Sequence, residues 1–426
     1  MTTQTALPQL HILDGSREVA AGGEETFVAT SKHSGDSPAK GRVYIETYGC
    51  QMNFSDTEII TSVLQQDGFA TTDSPADADV IFLNTCAIRE NAETKVHHRL
   101  QHLRGLKKRN PKLIVGLLGC MAERMRKDVF EQEKVVDLIA GPDAYRSLPN
   151  LIGLASTGQK AANTFLSLEE TYADIAPVRR AGTSAFVSIM RGCDNMCSFC
   201  VVPFTRGRER SRPASSILEE IETLSAEGFR DITLLGQNVN SYFDEDSRLG
   251  FAGLMHRASL LDSSLRIRFT TSHPKDISEE LIDVIAAQPN LCKFIHLPAQ
   301  SGSSSVLGRM NRNYTREEYL EKIAMIRRKL PLCALSTDII TGFPDETDAE
   351  HQETLSLLRA VRYDYAFTFI YSERPNTPAA KHFADHIPAE VKQRRLEEII
   401  AVQRPISEMI YRQSIGSTEE VLVEGE

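Results

Sequence analysis

The sequence predicts an α/β protein with two parallel-sheet units, because short apolar segments alternate with helical segments along most of its 426 residues. Three such strand–helix units lie between residues 41 and 155, and six more lie between residues 181 and 410. Charged residues make up 25% of the chain and hydrophobic residues 41%, as in an ordinary globular protein. We therefore expect an N-terminal parallel-sheet domain followed by a larger domain of βα units.

In the N-terminal domain, each predicted strand is followed within two residues by a cysteine. The strands cover residues 43–48, 80–84 and 113–118, and the cysteines are Cys50, Cys86 and Cys120. The carboxyl ends of parallel strands share one edge of the sheet, where ligands bind, so the three cysteines should converge there. This repeat predicts a flavodoxin-like sheet. Ser55 and Glu58 have the spacing of a capping box at the start of the first helix.

The second domain is predicted to be a partial barrel. Residues 156–180 have the mixed composition of a linker. Six candidate strands follow it, at residues 185–190, 231–235, 266–270, 294–297, 335–340 and 366–370. Helical stretches separate most of them, so the pattern predicts a partial (β/α)6 barrel rather than a closed barrel of eight units. Residues 388–412 have the pattern of a charged helix.

The two ends of the chain differ from the rest. Residues 1–40 lack apolar periodicity, which predicts a disordered leader, and they also lack the apolar core of a signal peptide. Residues 411–426 begin a β-like pattern, which we expect to be the truncated start of a further domain. No segment approaches the roughly 18 apolar residues of a membrane span, so we expect no membrane partner and a cytoplasmic location. The net charge of −10 argues weakly against bulk nucleic-acid binding, although a local basic patch can override it.

The strongest chemical signal is the spacing Cys193-x-x-x-Cys197-x-x-Cys200, which comes shortly after the first barrel strand. Three thiolates in one loop can bind three irons of a [4Fe–4S] cluster and leave the fourth iron open. The open iron can chelate the amino and carboxylate groups of S-adenosylmethionine (SAM), whose one-electron cleavage gives a 5′-deoxyadenosyl radical. The alternative is a zinc site, but zinc requires a fourth ligand and none lies nearby in the sequence. Cys292 and Cys333 lie in apolar segments and favour core packing.

Four separated motifs resemble one enzyme family. They are Arg191-Gly192-Cys193 to Arg212, Thr47-Tyr48-Gly49-Cys50-Gln51-Met52-Asn53, Leu235-Gly236-Gln237-Asn238-Val239-Asn240-Ser241-Tyr242 and Thr271-Ser272-His273-Pro274. Their order and spacing resemble those of the radical SAM methylthiotransferases, specifically the tRNA-modifying MiaB branch. The resemblance runs from about residue 42 to the end of the chain.

The resemblance implies a chemistry. Cys50, Cys86 and Cys120 would hold an auxiliary [4Fe–4S] cluster, so the protein would carry two clusters. One SAM would methylate a sulfur at the auxiliary cluster, and a second SAM would supply the radical that activates C2 of an isopentenylated adenosine next to the tRNA anticodon. The family also has a small RNA-binding β-barrel called TRAM at its C-terminus, and we expect residues 411–426 to be its truncated beginning. We further expect a flavodoxin-type electron donor and a monomer.

SAM also needs polar partners for its ribose, adenine and sulfonium groups. Candidates lie mainly after successive barrel strands, and they are Gly236, Gln237, Asn238, Ser272, His273, Gln300, Ser301, Arg312, Asp338 and Gly342. Each of them taken alone is equally explained by a helix cap or a turn. The basic run Arg206, Arg208, Arg210 and Arg212 suits phosphate contacts with RNA, although a solvated face with internal Arg–Glu pairs is the alternative.

Three rival functions stay open. Methylthiolation of a ribosomal aspartate or of threonylcarbamoyl-adenosine in tRNA is disfavoured by Gln51-Met52-Asn53, which follows Cys50. A non-catalytic cluster-binding or RNA-binding protein is the third. The favoured reaction sets a geometric requirement, because the sulfur and the radical must meet. Cys86 and Cys197 must therefore not lie on opposite outer faces of the protein.

Overall fold

The computed structural model describes residues 40–87, 90–179 and 181–424. The expected leader, residues 1–40, lies outside the described residues except for Lys40. The N-terminal domain comprises β1 (Arg42–Thr47), α1 (Gln51–Gln66), β2 (Ala70–Thr71), β3 (Val80–Thr85), α2 (Glu90–Arg109), β4 (Ile114–Gly119), α3 (Cys120–Met125), α4 (Val129–Gln132), β5 (Leu138–Ala140), α5 (Leu148–Ser156) and β6 (Ala161–Asn163).

The strands of the N-terminal domain form one parallel sheet in the order β2-β1-β3-β4-β5-β6. β3 and β4 are buried along their whole length, as central strands covered on both faces should be. The order reverses between β1 and β3, which is the switch point where ligands bind in flavodoxin-like sheets. The fold prediction is confirmed, with one correction: β6 lies inside the segment predicted to be a linker.

The start of α1 was predicted wrongly. The helix begins at Gln51, with Cys50 at its N-cap, so Ser55 and Glu58 are buried inside the helix and form no capping box. The Glu58 carboxylate instead lies 3.3 Å from the Arg179 guanidinium. The position of Cys50 at the junction of β1 and α1 follows from this early start.

The second domain begins with β7 and ends with a long helix. Its elements are β7 (Ser184–Ser188), β8 (Met190–Arg191), α6 (Val202–Thr205), β9 (Arg210–Ser211), α7 (Ala214–Ala226), β10 (Asp231–Leu235), β11 (Phe243–Asp244), β12 (Leu249–Gly250), α8 (Phe251–Ser259), β13 (Arg266–Thr270), α9 (Glu279–Ala287), β14 (Phe294–His296), α10 (Ser304–Arg309), α11 (Arg316–Lys329), β15 (Ala334–Thr341), α12 (Asp348–Val361), β16 (Tyr365–Ile370), α13 (Pro378–His382) and α14 (Ala389–Gln413).

Six parallel strands of this domain follow the chain order β7, β10, β13, β14, β15 and β16. The two three-stranded halves meet where the Cys292 amide donates to the Ile267 carbonyl at 2.9 Å. Apolar side chains of the strands and their helices form one continuous core. The predicted partial barrel is confirmed, and its six carboxyl ends lie at one rim.

The described tail after α14 contains no strand, so the strand expected at residues 420–423 is not formed. Every helix in the described ranges is too short or too polar to cross a lipid bilayer. Cys333 is buried in the barrel core, as predicted, whereas Cys292 is only partly buried.

Candidate active site

The three N-terminal cysteines converge at the carboxyl edge of the sheet, as predicted. Cys86 and Cys120 follow β3 and β4 directly, and Cys50 lies three residues after the end of β1. Gly49 lets the first two approach each other: its φ is +126°, and a Cβ at this position would lie 2.4 Å from the Cβ of Cys86. The Cys50 thiol donates to Asn53 Oδ1 at 3.2 Å. These contacts place the sulfur atoms at the switch point of the sheet.

The second triad lies in the loop between β8 and α6. Each of its sulfur atoms accepts a hydrogen bond: Cys193 from the Asn195 side chain at 3.6 Å, Cys197 from Arg312 at 3.2 Å and Cys200 from the Val202 amide at 3.5 Å. N–H donors aimed at cysteine sulfurs are among the contacts that set the potential of iron–sulfur clusters. The donor sets therefore fit a cluster at each triad.

The thiols differ in their acidity. Burial raises the pKa of Cys193 to about 11, and burial together with Cys197 raises the pKa of Cys200 to about 12. A hydrogen bond with Cys86 lowers the pKa of Cys50 to about 6 against the effect of burial. A metal-bound thiol is deprotonated outright. Bound iron would therefore stabilise the thiolate form that burial of Cys193 and Cys200 disfavours.

The zinc alternative is not supported by the geometry. In the described part of the chain, no three His, Cys, Asp or Glu side chains close around a single ion. A [4Fe–4S] cluster is wider than one ion, because each thiolate binds a different iron.

The two triads face one another across the domain boundary. α3, which begins at Cys120, packs against α6, which follows Cys200. Ala87, Cys120 and Val201 form a small buried cluster of their own, and these residues are Cys120 itself and neighbours of Cys86 and Cys200. Cys86 and Cys197 are therefore not on opposite outer faces, so the geometric requirement for sulfur and radical to meet is satisfied.

The basic run after the second triad joins the domains instead of facing solvent. Arg206 Nη2 donates to Asp56 Oδ2 at 2.7 Å, and Arg210 Nη2 donates to Asp143 Oδ1 at 2.9 Å. Arg212 pairs with Glu220 at 2.7 Å inside the second domain. All three arginines are buried. The prediction that Arg206, Arg210 and Arg212 contact RNA phosphates is therefore wrong.

Arg208 is the exception in this run. Its side chain is 69% exposed and pairs with Asp194 at 2.6 Å. It remains accessible to a phosphate. Arg191, which precedes the run, forms an ion pair with Asp56 (Nη2 to Oδ1, 2.9 Å), and its guanidinium lies 4.9 Å from the centre of the Tyr172 ring. Asp56 and Asp143 are thus the carboxylates on which the domain interface depends.

Four of the predicted SAM residues keep a buried polar atom without a hydrogen-bond partner among the described residues. These atoms are Asn238 Oδ1, Ser272 Oγ, His273 Nε2 and Gln300 Oε1. All four residues follow barrel strands at the rim, and each residue is less than 9% exposed. Burial and the neighbouring Arg312 charge lower the pKa of His273 to about 2, so its ring is neutral. Unpartnered buried polar atoms are costly, and a polar ligand at the rim would satisfy them.

Other predicted rim residues have structural roles. Gln237 Oε1 accepts from the Gly192 amide at 2.6 Å and so holds the cysteine loop. Ser301 Oγ accepts from the Ser303 amide at 3.2 Å, just before α10. A Cβ on Gly236 would lie 2.6 Å from Met190 Cγ, and one on Gly342 would lie 2.6 Å from Lys392 Cγ. The small size of these two glycines serves packing against side chains of the chain itself.

Arg312 and Asp338 also have partners. Arg312 donates to Cys197 Sγ, and the Asp338 carboxylate lies 3.6 Å from His296 Nε2. Sequence reasoning did not select Asn240, whose buried side-chain oxygen and nitrogen both lack a partner among the described residues. It lies in the same motif as Gln237 and Asn238, and that motif was the only available signal.

Two family models match the chain. Residues 42–141 match "Uncharacterized protein family UPF0004", and residues 187–358 match the "Radical SAM superfamily". The first range includes all three N-terminal cysteines, and the second includes the Cys193, Cys197 and Cys200 loop. The fold and the site therefore define a radical SAM enzyme, which uses SAM and iron–sulfur clusters.

Curated relatives narrow the class. The tRNA-2-methylthio-N(6)-dimethylallyladenosine synthase of Chloroherpeton thalassium is 68% identical over 387 residues, which cover 91% of this chain and 86% of that protein. The synthase of the same name from Prosthecochloris aestuarii is 53% identical, covering 90% of this chain and 87% of that protein. The chain belongs to the family of the tRNA-2-methylthio-N(6)-dimethylallyladenosine synthases.

Solved structures agree on the fold. The radical SAM methyltransferase TsrM from Kitasatospora setae superposes with a TM-score of 0.60 at 15% identity, covering 80% of this chain and 75% of that one. The cobalamin-dependent SAM radical enzyme OxsB superposes with a TM-score of 0.54 at 14% identity, covering 88% of this chain and 61% of that one. At such low identity the likeness concerns the fold alone.

Proposed function

We propose that this protein adds a methylthio group to C2 of N6-isopentenyladenosine (dimethylallyladenosine) in tRNA, next to the anticodon. The observation that carries the proposal is the pair of cysteine triads that face each other across the domain boundary, in a chain 68% identical to a synthase of that name. A sulfur centre and a radical centre that face each other can act on the same base.

Cys193, Cys197 and Cys200 would hold the radical SAM cluster, and Cys50, Cys86 and Cys120 would hold the auxiliary cluster. When bound, these groups supply reductive cleavage of SAM and the sulfur that is transferred, with two SAM molecules used per product. Asn53 orients the Cys50 sulfur through its side-chain oxygen, and it donates to the Thr85 carbonyl at 3.0 Å. Asn53, three residues after Cys50 in the motif, would thus help to fix the sulfur centre.

SAM would lie along the barrel rim. Asn238, Ser272, His273 and Gln300 offer the unpartnered atoms described above, and neutral His273 offers a nitrogen without adding charge beside the sulfonium. Gln300 has a φ of +67°, a conformation uncommon outside glycine and typical of functional sites. Asp338 lies at the same rim. Gly236, Gln237, Ser301 and Gly342 support the rim through packing and hydrogen bonds.

The tRNA would present an unpaired anticodon-loop base, because sequence-specific RNA readers act on single-stranded loops. Arg208 is the accessible cation of the basic run and suits a phosphate contact. We propose a flavodoxin-type electron donor, a monomeric enzyme and action in the cytoplasm, where tRNA is modified.

The decisive experiment combines anaerobic cluster reconstitution with nucleoside mass analysis. Wild-type protein with SAM, a low-potential reductant and isopentenylated tRNA should yield the 2-methylthio nucleoside and contain about eight irons per chain. The Cys50→Ala variant should keep about four irons and still release 5′-deoxyadenosine, but should give no methylthio product. SAM cleavage by wild type without product on this tRNA would contradict the substrate, and threonylcarbamoyl-adenosine tRNA and the ribosomal peptide would then be tested. No SAM cleavage at all would contradict the radical chemistry.

A further inference from the structure

Arg312 makes direct contact with a cysteine of the second triad. The guanidinium is buried and uses all three nitrogen atoms: Nη1 donates to Cys197 Sγ at 3.2 Å, Nε to Tyr314 Oη at 3.0 Å and Nη2 to the Pro298 carbonyl at 3.0 Å. The Arg312 carbon Cζ also lies 5.3 Å from the centre of the Tyr314 ring. Three of the five N–H groups of this guanidinium are thus engaged within the chain, one of them on the cysteine sulfur.

The segment that carries Arg312 is fastened to the cysteine loop. The Ser198 amide donates to the Met310 carbonyl at 2.9 Å, and Ser198 Oγ donates to the Arg309 carbonyl at 2.8 Å. The Asn311 side chain donates to the Met196 carbonyl at 2.9 Å. These three bonds flank Cys197, so the distance from Arg312 to its sulfur is set before any cofactor binds.

The charge of Arg312 has no carboxylate counterpart. Among the described residues, its bonds go to a thiol, a phenol and a carbonyl. A buried guanidinium without a counter-ion is costly, so an anion at Cys197 would stabilise it. A cluster held by three thiolates is anionic, and one-electron reduction adds a further negative charge. The guanidinium therefore favours the reduced cluster over the oxidised one.

We propose that Arg312 is a positioning residue that raises the reduction potential of the radical SAM cluster through its hydrogen bond to Cys197. The inference rests on the proposed assignment of Cys193, Cys197 and Cys200 as cluster ligands. The electron comes from an external one-electron reductant and enters the cluster, and Arg312 keeps all its protons. Hydrogen bonds to cluster sulfurs and nearby charge are recognised determinants of cluster potential.

The test uses protein with a single cluster. Cys50, Cys86 and Cys120 are all replaced by Ala, the protein is reconstituted anaerobically, and the midpoint potential is measured by EPR-monitored titration. Adding Arg312→Gln should leave about four irons in place. It should also weaken the reduction equilibrium at least tenfold, a shift of 59 mV for one electron. Arg312→Lys keeps the positive charge but lacks the planar set of guanidinium donors. Its midpoint potential should lie between those of Arg312→Gln and the parent protein.

Arg309→Gln is the matched control, because Arg309 lies on the same segment and its guanidinium pairs with Glu350 at 2.9 Å. Its potential should stay at the parent value. An unchanged potential in iron-loaded Arg312→Gln overturns the inference, as does a loss of SAM affinity without a shift in potential. Iron lost from both Arg312 variants while the apo proteins stay folded also overturns it, because the residue would then build the site. A parent protein that binds no iron refutes the ligand assignment itself.

Discussion

Replacing Asp56 tests whether the domain interface depends on buried ion pairs. The Asp56 carboxylate is completely buried and forms ion pairs with Arg191 at 2.9 Å on Oδ1 and with Arg206 at 2.7 Å on Oδ2. Tyr145 Oη also donates a hydrogen bond to Oδ2 at 3.2 Å. Asp56→Ala would leave two buried guanidinium groups facing each other without a shared anion. Breaking one buried pair costs about 3–5 kcal/mol, and here two pairs share the carboxylate.

A loss of that size is readily measured. At roughly 2 °C per kcal/mol for a large domain, the Tm of the apo protein in calorimetry should fall by roughly 6 °C or more. Asp194→Ala is the control, since its partner Arg208 is largely exposed and such pairs contribute at most about 1 kcal/mol. Equal and small shifts in both variants would refute the argument that burial makes the Asp56 contacts strong. A circular dichroism spectrum should confirm that Asp56→Ala still folds at low temperature.

Three further predictions concern the loop, the RNA and the rim. Gln237→Ala removes the acceptor for the Gly192 amide, and SAM-cleavage activity should fall about 10–100-fold while the apo fold is retained, measured as 5′-deoxyadenosine release. Arg208→Ala should weaken tRNA binding and reduce the salt dependence by about 1 in log–log slope, whereas an unchanged slope would remove Arg208 from the RNA contacts. Gly342→Ala should lower stability by roughly 1 kcal/mol or more, because φ is +71° and the new Cβ meets Lys392. In contrast, Gly105→Ala in α2, where no atom lies within 4 Å, should gain roughly 0.5–1 kcal/mol in urea unfolding.

The cysteines were predictable because their place relative to the strands is local information. The predicted strands before Cys50, Cys86 and Cys120 agree with β1, β3 and β4 to within about one residue at each end. The carboxyl ends of parallel strands lie at one edge of the sheet, whatever the lengths and sequences of the connecting loops. The convergence of Cys50, Cys86 and Cys120 could therefore be predicted from the regular alternation of strands and helices and from the place of each cysteine after its strand. The six barrel strands were predicted for the same reason.

The roles of the arginines were not predictable in this way. Arg206 and Asp56 are 150 residues apart in the chain, and Arg210 and Asp143 are 67 residues apart. A short stretch of sequence does not show whether an arginine is buried against a carboxylate far along the chain or exposed and able to bind a phosphate. The packing of the rim glycines was equally hidden, since Gly342, just after β15, meets Lys392 of α14, 50 residues further along the chain. Local sequence gives the residue type, and only tertiary contacts give its partner.

The buried arginines of the basic run connect the loop of the second triad to the domain of the first. The segment from Cys200 to Arg212 begins at the second triad, packs Val201 against Cys120, and then sends Arg206 and Arg210 into the N-terminal domain. The loop that carries one cysteine triad is thus bonded to the domain that carries the other. Separation of the domains would break these ion pairs, and hydration of the freed charges would offset much of the lost attraction. The buried pairs of Arg206 with Asp56 and of Arg210 with Asp143 therefore define how the segment that follows Cys200 is placed against the N-terminal domain.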